Sequence, residues 1–347
     1  MKYRTLGRTG LWVSEVSLGA MTLGGRADDP IWGAVGALHG EEASRLVLAA
    51  LDAGINYIDT ADTYGGGESE DELGRILAGR RDSVLIASKA GGSRSGPGPN
   101  DLGATRVHLT RSIENSLRKL RTDYIDLYEL HIFDHLTALD ESLAALDDAV
   151  RQGKIRHIGA SNFDAWHIAK ALGISALRQI SGFVSAQTHY SLLVRDVEMD
   201  LLPLAESENL GVMVWGPLAA GYLTGKFDSA GGTGESSSRR ATNPQASIPP
   251  VDPVAAAPVL EVVRAVAERN NATSAQVALA WILARPVITS VTIGARTPER
   301  LLSNLQAVDL QLSAQDLADL DEVSAPAPRY PHWLNRLAEL GRGPVPR

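Results

Sequence analysis

The sequence predicts a parallel β/α barrel, and three observations carry the prediction. Short apolar, β-branched runs recur eight times along the 347 residues. Helix-length stretches fall between them, the alternation of a parallel sheet. Several runs end on ionisable or carboxamide side chains, and a sheet of eight parallel strands that closes into a barrel places its site at those carboxyl ends.

The runs are Val16-Ser17-Leu18, Tyr57-Ile58, Val84-Leu85-Ile86, Tyr124-Ile125-Asp126-Leu127, Ile155-Arg156-His157-Ile158, Phe183-Val184-Ser185, Gly211-Val212-Met213-Val214 and Ser290-Val291-Thr292-Ile293. Helices are expected over Glu41 to Asp52, Glu70 to Ala78, Leu109 to Leu120, Leu139 to Arg151, Asp164 to Leu172, Leu201 to Glu208 and Ser274 to Ala284. Residues 3 to 13 carry Gly7-Arg8-Thr9-Gly10 between short strand-like pieces and predict a hairpin at the barrel's floor. Residues 228 to 257, rich in Gly, Ser, Pro and Ala, predict a long loop after the seventh strand, either a lid or a tolerated surface insertion. The stretch from Ala325 to Arg347 is expected to wrap the barrel without regular structure. No linker or repeat divides the chain, so residues 1 to 347 read as one TIM (β/α)8 barrel with an N-terminal hairpin.

Composition narrows the chemistry. A formal charge of -8 argues against nucleic acid or an anionic membrane as main partner, since either wants a basic face. With no cysteine there is no disulfide, thiolate metal site or cysteine nucleophile, and a reducing cytoplasm is the expected location. The first residues lack the apolar core of a signal peptide, and no apolar run is long enough to span a bilayer.

Lysine occurs only at positions 2, 89, 119, 154, 170 and 226. Lys89 closes the buried third strand, and an ammonium shifts its pKa on burial far more readily than a guanidinium. Asp59 ends the second strand and Tyr64 follows it. A phenol with an ordinary pKa of about 10 becomes a usable acid when a buried cation stabilises its phenolate. Asp59, Tyr64 and Lys89 make such a unit. His131 ends the fourth strand beside them; a metal reading would join it to Asp134 and His135, but the H-x-H pairing is missing and no further histidine cluster completes a shell. Ser69-Glu70-Asp71-Glu72 has the form of a capping box that starts the next helix.

Ser161 and Asn162 close the fifth strand and Gln187 the sixth, a set able to read a planar amide. Trp215 at the seventh offers a flat face for stacking, or else packs in the core. After the eighth strand, Thr297 reads as an N-cap and Pro298 as the first helical residue. Arg296 and Arg300 flank that helix start, which reads as a phosphate site or as a surface helix with solvated arginines.

These residues resemble the aldo-keto reductase family across nearly the whole chain. The resemblance rests on Gly54 to Gly65 (GINYIDTADTYG), Asp123 to His131 (DYIDLYELH), Gly153 to Phe163 (GKIRHIGASNF) and Gly216 to Lys226 (GPLAAGYLTGK). It is closest to the branch of bacterial and plant reductases and potassium-channel β-subunits. The resemblance implies NADP(H)-dependent reduction of a small-molecule aldehyde or ketone, with Asp59, Tyr64, Lys89 and His131 as the tetrad and Tyr64 as proton donor. An alternative within the branch is an NADPH-binding redox sensor that turns over slowly. Similarity also places the nicotinamide carboxamide on Ser161, Asn162 and Gln187, with Trp215 stacking on the ring where relatives commonly have tyrosine. Ala20 and Met21 would lie near the cofactor. Gly216, Pro217, Leu218, Gly221 and Lys226 would line the pyrophosphate path, and Gly294, Arg296, Arg300 and Asn304 would receive the adenosine phosphate. Arg300 stands where many relatives have glutamine. Substrate choice would lie in the loops around Trp32, Gly91 to Gly103 and Trp333.

Overall fold

The structure, a computed structural model, describes residues 1–26, 28–29, 32–92, 96–225, 250–335 and 337. Eight parallel strands form a closed barrel: β3 (Val16–Gly19), β4 (Tyr57–Asp59), β5 (Leu85–Ala90), β6 (Ile125–Leu130), β7 (Ile155–Ser161), β8 (Phe183–His189), β9 (Gly211–Trp215) and β10 (Ile288–Ile293). β10 pairs with both β9 and β3, which closes the ring. All eight expected runs became these strands.

The hairpin is present as β1 (Tyr3–Thr5) and β2 (Trp12–Ser14), paired antiparallel. Its turn sends Leu6 into an apolar cluster with Val13, Tyr57, Ala87, Leu127 and Met213, at the amino end of the barrel. Gly7 lies at φ 51, where a Cβ would stand 2.8 Å from the carbonyl oxygens of Val184 and Asn209. Only glycine lets the turn press so close. The Arg4 guanidinium donates to the carbonyls of Leu283, Arg285 and Ile288, pinning the hairpin beneath β10.

Helices α1 (Trp32–Val35), α2 (Gly40–Asp52), α3 (Glu68–Ile76), α4 (Arg106–Leu120), α5 (Leu139–Arg151), α6 (Ala165–Arg178), α7 (Leu201–Glu208), α8 (Pro253–Arg269), α9 (Ser274–Leu283), α10 (Pro298–Leu305) and α11 (Ala314–Val323) accompany the strands. Most are amphipathic, and their apolar faces bury residues such as Leu46, Ile113, Leu143 and Val263 against the outer face of the sheet. No helix among the described residues is long and apolar enough to cross a membrane.

Three expectations need correction. Ser69 is not the N-cap of α3, which starts two residues earlier than expected, at Glu68, behind Gly67 in the left-handed region. The Ser69 hydroxyl instead donates to the carbonyl of Ala20 and bonds Thr60 Oγ1, because it is fully buried between β4 and the loop after β3. Residues 253–257, read as loop, are the first turn of α8, capped by Asp252 with Pro253 at its first position; residues 228–249 lie outside the described residues. Residues 332–335, expected to be irregular, are helical, and residues 338–347 lie outside the described residues.

Candidate active site

Strand register delivers the ionisable groups to one height. Asp59, the last residue of β4, pairs with Ala87, two residues before Lys89 on β5. Lys89 pairs with Glu129 on β6, and Ser161 on β7 pairs with Gln187 on β8. His131 follows β6 directly, its N–H bonded to the carbonyl of Ala90. Tyr64 opens a 3₁₀ turn, Tyr64–Gly67, after β4. Gly65 in that turn has φ 61, and a Cβ there would lie 2.8 Å from the backbone of Leu23, Gly24 and Gly25. The phenol is thereby clamped between the first two strand-end loops.

Lys89 is fully buried, and its ammonium lies 2.8 Å from Asp59 Oδ1. It also donates to the Thr60 carbonyl at 2.8 Å and reaches the Tyr64 hydroxyl at 3.5 Å. Asp59 Oδ1 accepts from Gln187 Nε2 at 2.8 Å. The network continues outward: Ser161 Oγ to Gln187 Oε1 at 3.4 Å, Asn162 Nδ2 to Ser161 Oγ at 2.9 Å, and Trp215 Nε1 to Asn162 Oδ1 at 2.9 Å. Asn162 holds φ 58, a left-handed backbone that lets its amide also reach the carbonyl of His131. The His131 ring meets Tyr64 edge-on with centroids 5.7 Å apart, and Trp32 lies 6.1 Å from Tyr64 on the first-loop side.

Electrostatics sorts these groups. Burial alone would lower the Lys89 pKa, but Asp59, with Tyr64 and Glu129, reverses that and raises it, so the ammonium is permanent. Burial and the Lys89 charge push His131 down to about 3, leaving a neutral imidazole at physiological pH. Tyr64 departs from the sequence expectation. Lys89 does pull its pKa down, but desolvation is the larger effect and the phenol sits above its ordinary 10. It is therefore protonated, with a cation against its oxygen, and can give a proton to a group bound in the barrel mouth.

The remaining expected residues form two further groups. Ala20 and Met21 make a short 3₁₀ turn at the end of β3. Past β9, Gly216, Pro217 and Leu218 lead into a turn in which Ala219, Ala220 and Gly221 take φ of 48°, 55° and 93° in succession. Two consecutive alanines in the left-handed region are a strained backbone, held by the surrounding structure. Lys226 lies outside the described residues. Gly294 follows β10; Arg296 reaches back to the carbonyl of Val35 in α1 at 3.3 Å. Thr297 caps α10 by accepting from the N–H of Arg300, with Pro298 first in the helix, as expected, while Asn304 is buried one turn on. Asp134, considered for a metal, accepts from the N–H of Ala104 and Leu136 and so holds loops together. Sequence reasoning gave no role to Glu129, a fully buried carboxyl inside the barrel. The only available signal was a second acid, two residues before His131, in a strand that already carries Asp126.

A family profile described as "Aldo/keto reductase family" matches residues 15–325. The chain is 37% identical over 334 residues to "Uncharacterized oxidoreductase YrpG" of Bacillus subtilis (strain 168), covering 93% of this chain and 96% of that one. It is 31% identical over 341 residues to "Probable voltage-gated potassium channel subunit beta" of Arabidopsis thaliana, covering 95% and 99%. It is 31% identical over 331 residues to the L-glyceraldehyde 3-phosphate reductase of Escherichia coli (strain K12), covering 93% and 92%. The chain belongs to the aldo/keto reductase family, which supports an oxidoreductase acting on carbonyl compounds.

Proposed function

We propose that this chain reduces an aldehyde or ketone to an alcohol with NADPH, Tyr64 giving the proton. The observation that carries the reading is the Tyr64 hydroxyl 3.5 Å from a buried ammonium that Asp59 holds in place. NADPH, when bound, supplies the hydride. The donor set fits such a cofactor. Asn162 presents a carboxamide at the barrel mouth beside the Trp215 ring, with the buried Ser161 hydroxyl behind it, partners for a planar amide on an aromatic ring. The left-handed turn at Ala219, Ala220 and Gly221 leaves open space where a Gly221 side chain would stand, which suits close approach of a pyrophosphate. The capped start of α10 with Arg296 and Arg300 suits a phosphate.

Within this reading the chain's own groups divide the work. The carbonyl oxygen sits against Tyr64 and His131. Neutral His131 orients it by hydrogen bonding without adding charge. Lys89 favours the phenolate as the proton leaves, so it contributes in the transition state more than in the ground state. Asp59 keeps the ammonium in line, and Trp32 bounds the substrate side. A slow-turnover regulatory role is the second reading, motivated by the potassium-channel relatives. Turnover on a panel of aldehydes and ketones, followed by NADPH absorbance, separates the two. Tyr64→Phe is expected to abolish reduction while cofactor affinity, read by fluorescence, stays near wild type. Near wild-type turnover in that variant would overturn Tyr64 as the donor.

A further inference from the structure

Beneath the Lys89 ammonium the barrel encloses a second acid. Glu129 pairs in register with Lys89 on one side and with Gly159 on the other. Its Oε1 accepts from the Ser185 hydroxyl on β8, the next strand but one, at 3.0 Å. A Cβ on Gly159 would stand 2.9 Å from that oxygen, so the glycine makes the room the carboxyl occupies. Oε2 is buried with no hydrogen-bond partner among the described residues. The charges facing Glu129 are Lys89 on β5 and Asp59 on β4. Tyr57 on β4 and His157, in register with Leu127 on β7, are the titratable groups one layer down. Asp62 and Glu70 belong to the opposite face of the sheet, where Glu70 accepts from Ser88 on the outer side of β5.

We infer that Glu129 is a positioning residue whose charge sets the acidity of Tyr64 through the shared cation Lys89, an inference that rests on the proposed reduction. Lys89 already faces one anion, Asp59, in a medium of low dielectric. A second ionised carboxyl would leave the trio with net negative charge and no further counter-ion among the described residues. Burial accordingly pushes Glu129 up to about 8, with Lys89 opposing and Asp59 adding to the effect. Near neutrality Glu129 keeps its proton and Lys89 acts on Tyr64 at full strength. On the alkaline side the ionised carboxylate disfavours the Tyr64 phenolate, which weakens the acid.

The test titrates Tyr64 by tyrosinate absorbance, as the difference between each protein and its Tyr64→Phe partner, with Glu129 present or as Glu129→Gln. Removing the ionisable carboxyl is expected to lower the Tyr64 midpoint by about one pH unit, the effect of one charge several ångströms away. The rate of carbonyl reduction should then fall about two- to tenfold above pH 8 in wild type and stay flatter in Glu129→Gln. Ser185→Ala, which removes a hydrogen bond to the carboxylate but leaves the acid, should move the alkaline limb upward instead. An unchanged Tyr64 midpoint in Glu129→Gln, or an unmoved limb in Ser185→Ala if the first variant does not fold, overturns the inference. Because the absorbance titration needs no turnover, it is separate from the Tyr64→Phe assay that tests the reduction itself.

Discussion

Gln187 Nε2 donates to Asp59 Oδ1 at 2.8 Å, joining residues 128 apart in sequence and standing on opposite walls of the barrel. The bond fixes the rotation of the carboxylate, so both Asp59 oxygens lie within reach of Lys89, at 2.8 and 2.9 Å. One carboxamide thus couples the group expected to read a nicotinamide to the pair expected to tune the proton donor. Gln187 spends its amide inside the protein, donating to Asp59 and accepting from the buried Ser161 hydroxyl, which leaves Asn162 as the exposed member of that set.

Lys89→Met is expected to cost stability as well as turnover. The variant strands a buried Asp59 with Gln187 as its remaining side-chain donor, and breaking a buried ion pair typically costs about 3–5 kcal/mol. Adding Asp59→Asn removes the orphan charge and should restore part of that loss, while turnover stays low in both proteins because the phenol no longer has its cation. Denaturant unfolding of wild type, single and double variants is the measurement. Equal stability of the two variants would mean that Asp59 is not held by charge.

Stability should fall as pH rises from about 5 to about 8, and burial is the reason. Glu129 is pushed from the ordinary 4.5 up to about 8, and Asp62 from 3.8 up to about 7. Both bind a proton more tightly folded than unfolded. Their contribution is complete below the unfolded values and is lost as pH climbs through the folded ones. Each unit of difference corresponds to about 1.4 kcal/mol. Unfolding curves across that range should show the decline in wild type, and Glu129→Gln with Asp62→Asn should flatten it. A wild-type curve that is level between those pH values would contradict the protonated state of both acids.

The barrel and the strand-end residues were legible because both are local. Period, strand length and the residue at each carboxyl end place Asp59, Lys89 and His131 without any knowledge of distant contacts. Register was not legible, and with it the Gln187–Asp59 bond and the inward direction of Glu129. Ser69 misled because S-x-x-E describes a cap only when the serine is at the surface, and here the hydroxyl is drawn into the buried contact with Ala20 and Thr60. The start of α8 was hidden by its composition, Pro253 and Pro258 among alanines, which reads as loop unless Asp252 is recognised as the cap. The acidity of Tyr64 was misjudged for a different reason. A sequence shows the cation beside the phenol but not the desolvation that opposes it.

Cofactor choice is expected to rest on Arg300. Its N–H is already used in the Thr297 cap, while its exposed side chain stands at the start of α10, where the helix dipole favours an anion. NADPH differs from NADH by one dianionic phosphate, which a guanidinium binds through two parallel hydrogen bonds. A charge-assisted contact contributes about 1.5–3 kcal/mol, and exposure to solvent places this one at the lower end. Arg300→Gln keeps a hydrogen-bonding side chain and the cap, since the cap uses the backbone, but deletes the charge. It should weaken NADPH about tenfold, by the usual 1.4 kcal/mol per decade, and leave NADH nearly unaltered. The NADPH affinity of wild type should also fall more steeply with salt than that of the variant, because an exposed ion pair is screened. Titration of both cofactors at two ionic strengths provides the comparison. Equal weakening of NADPH and NADH would assign Arg300 to the helix or to a contact both cofactors share, and would remove the basis for NADP preference at this position.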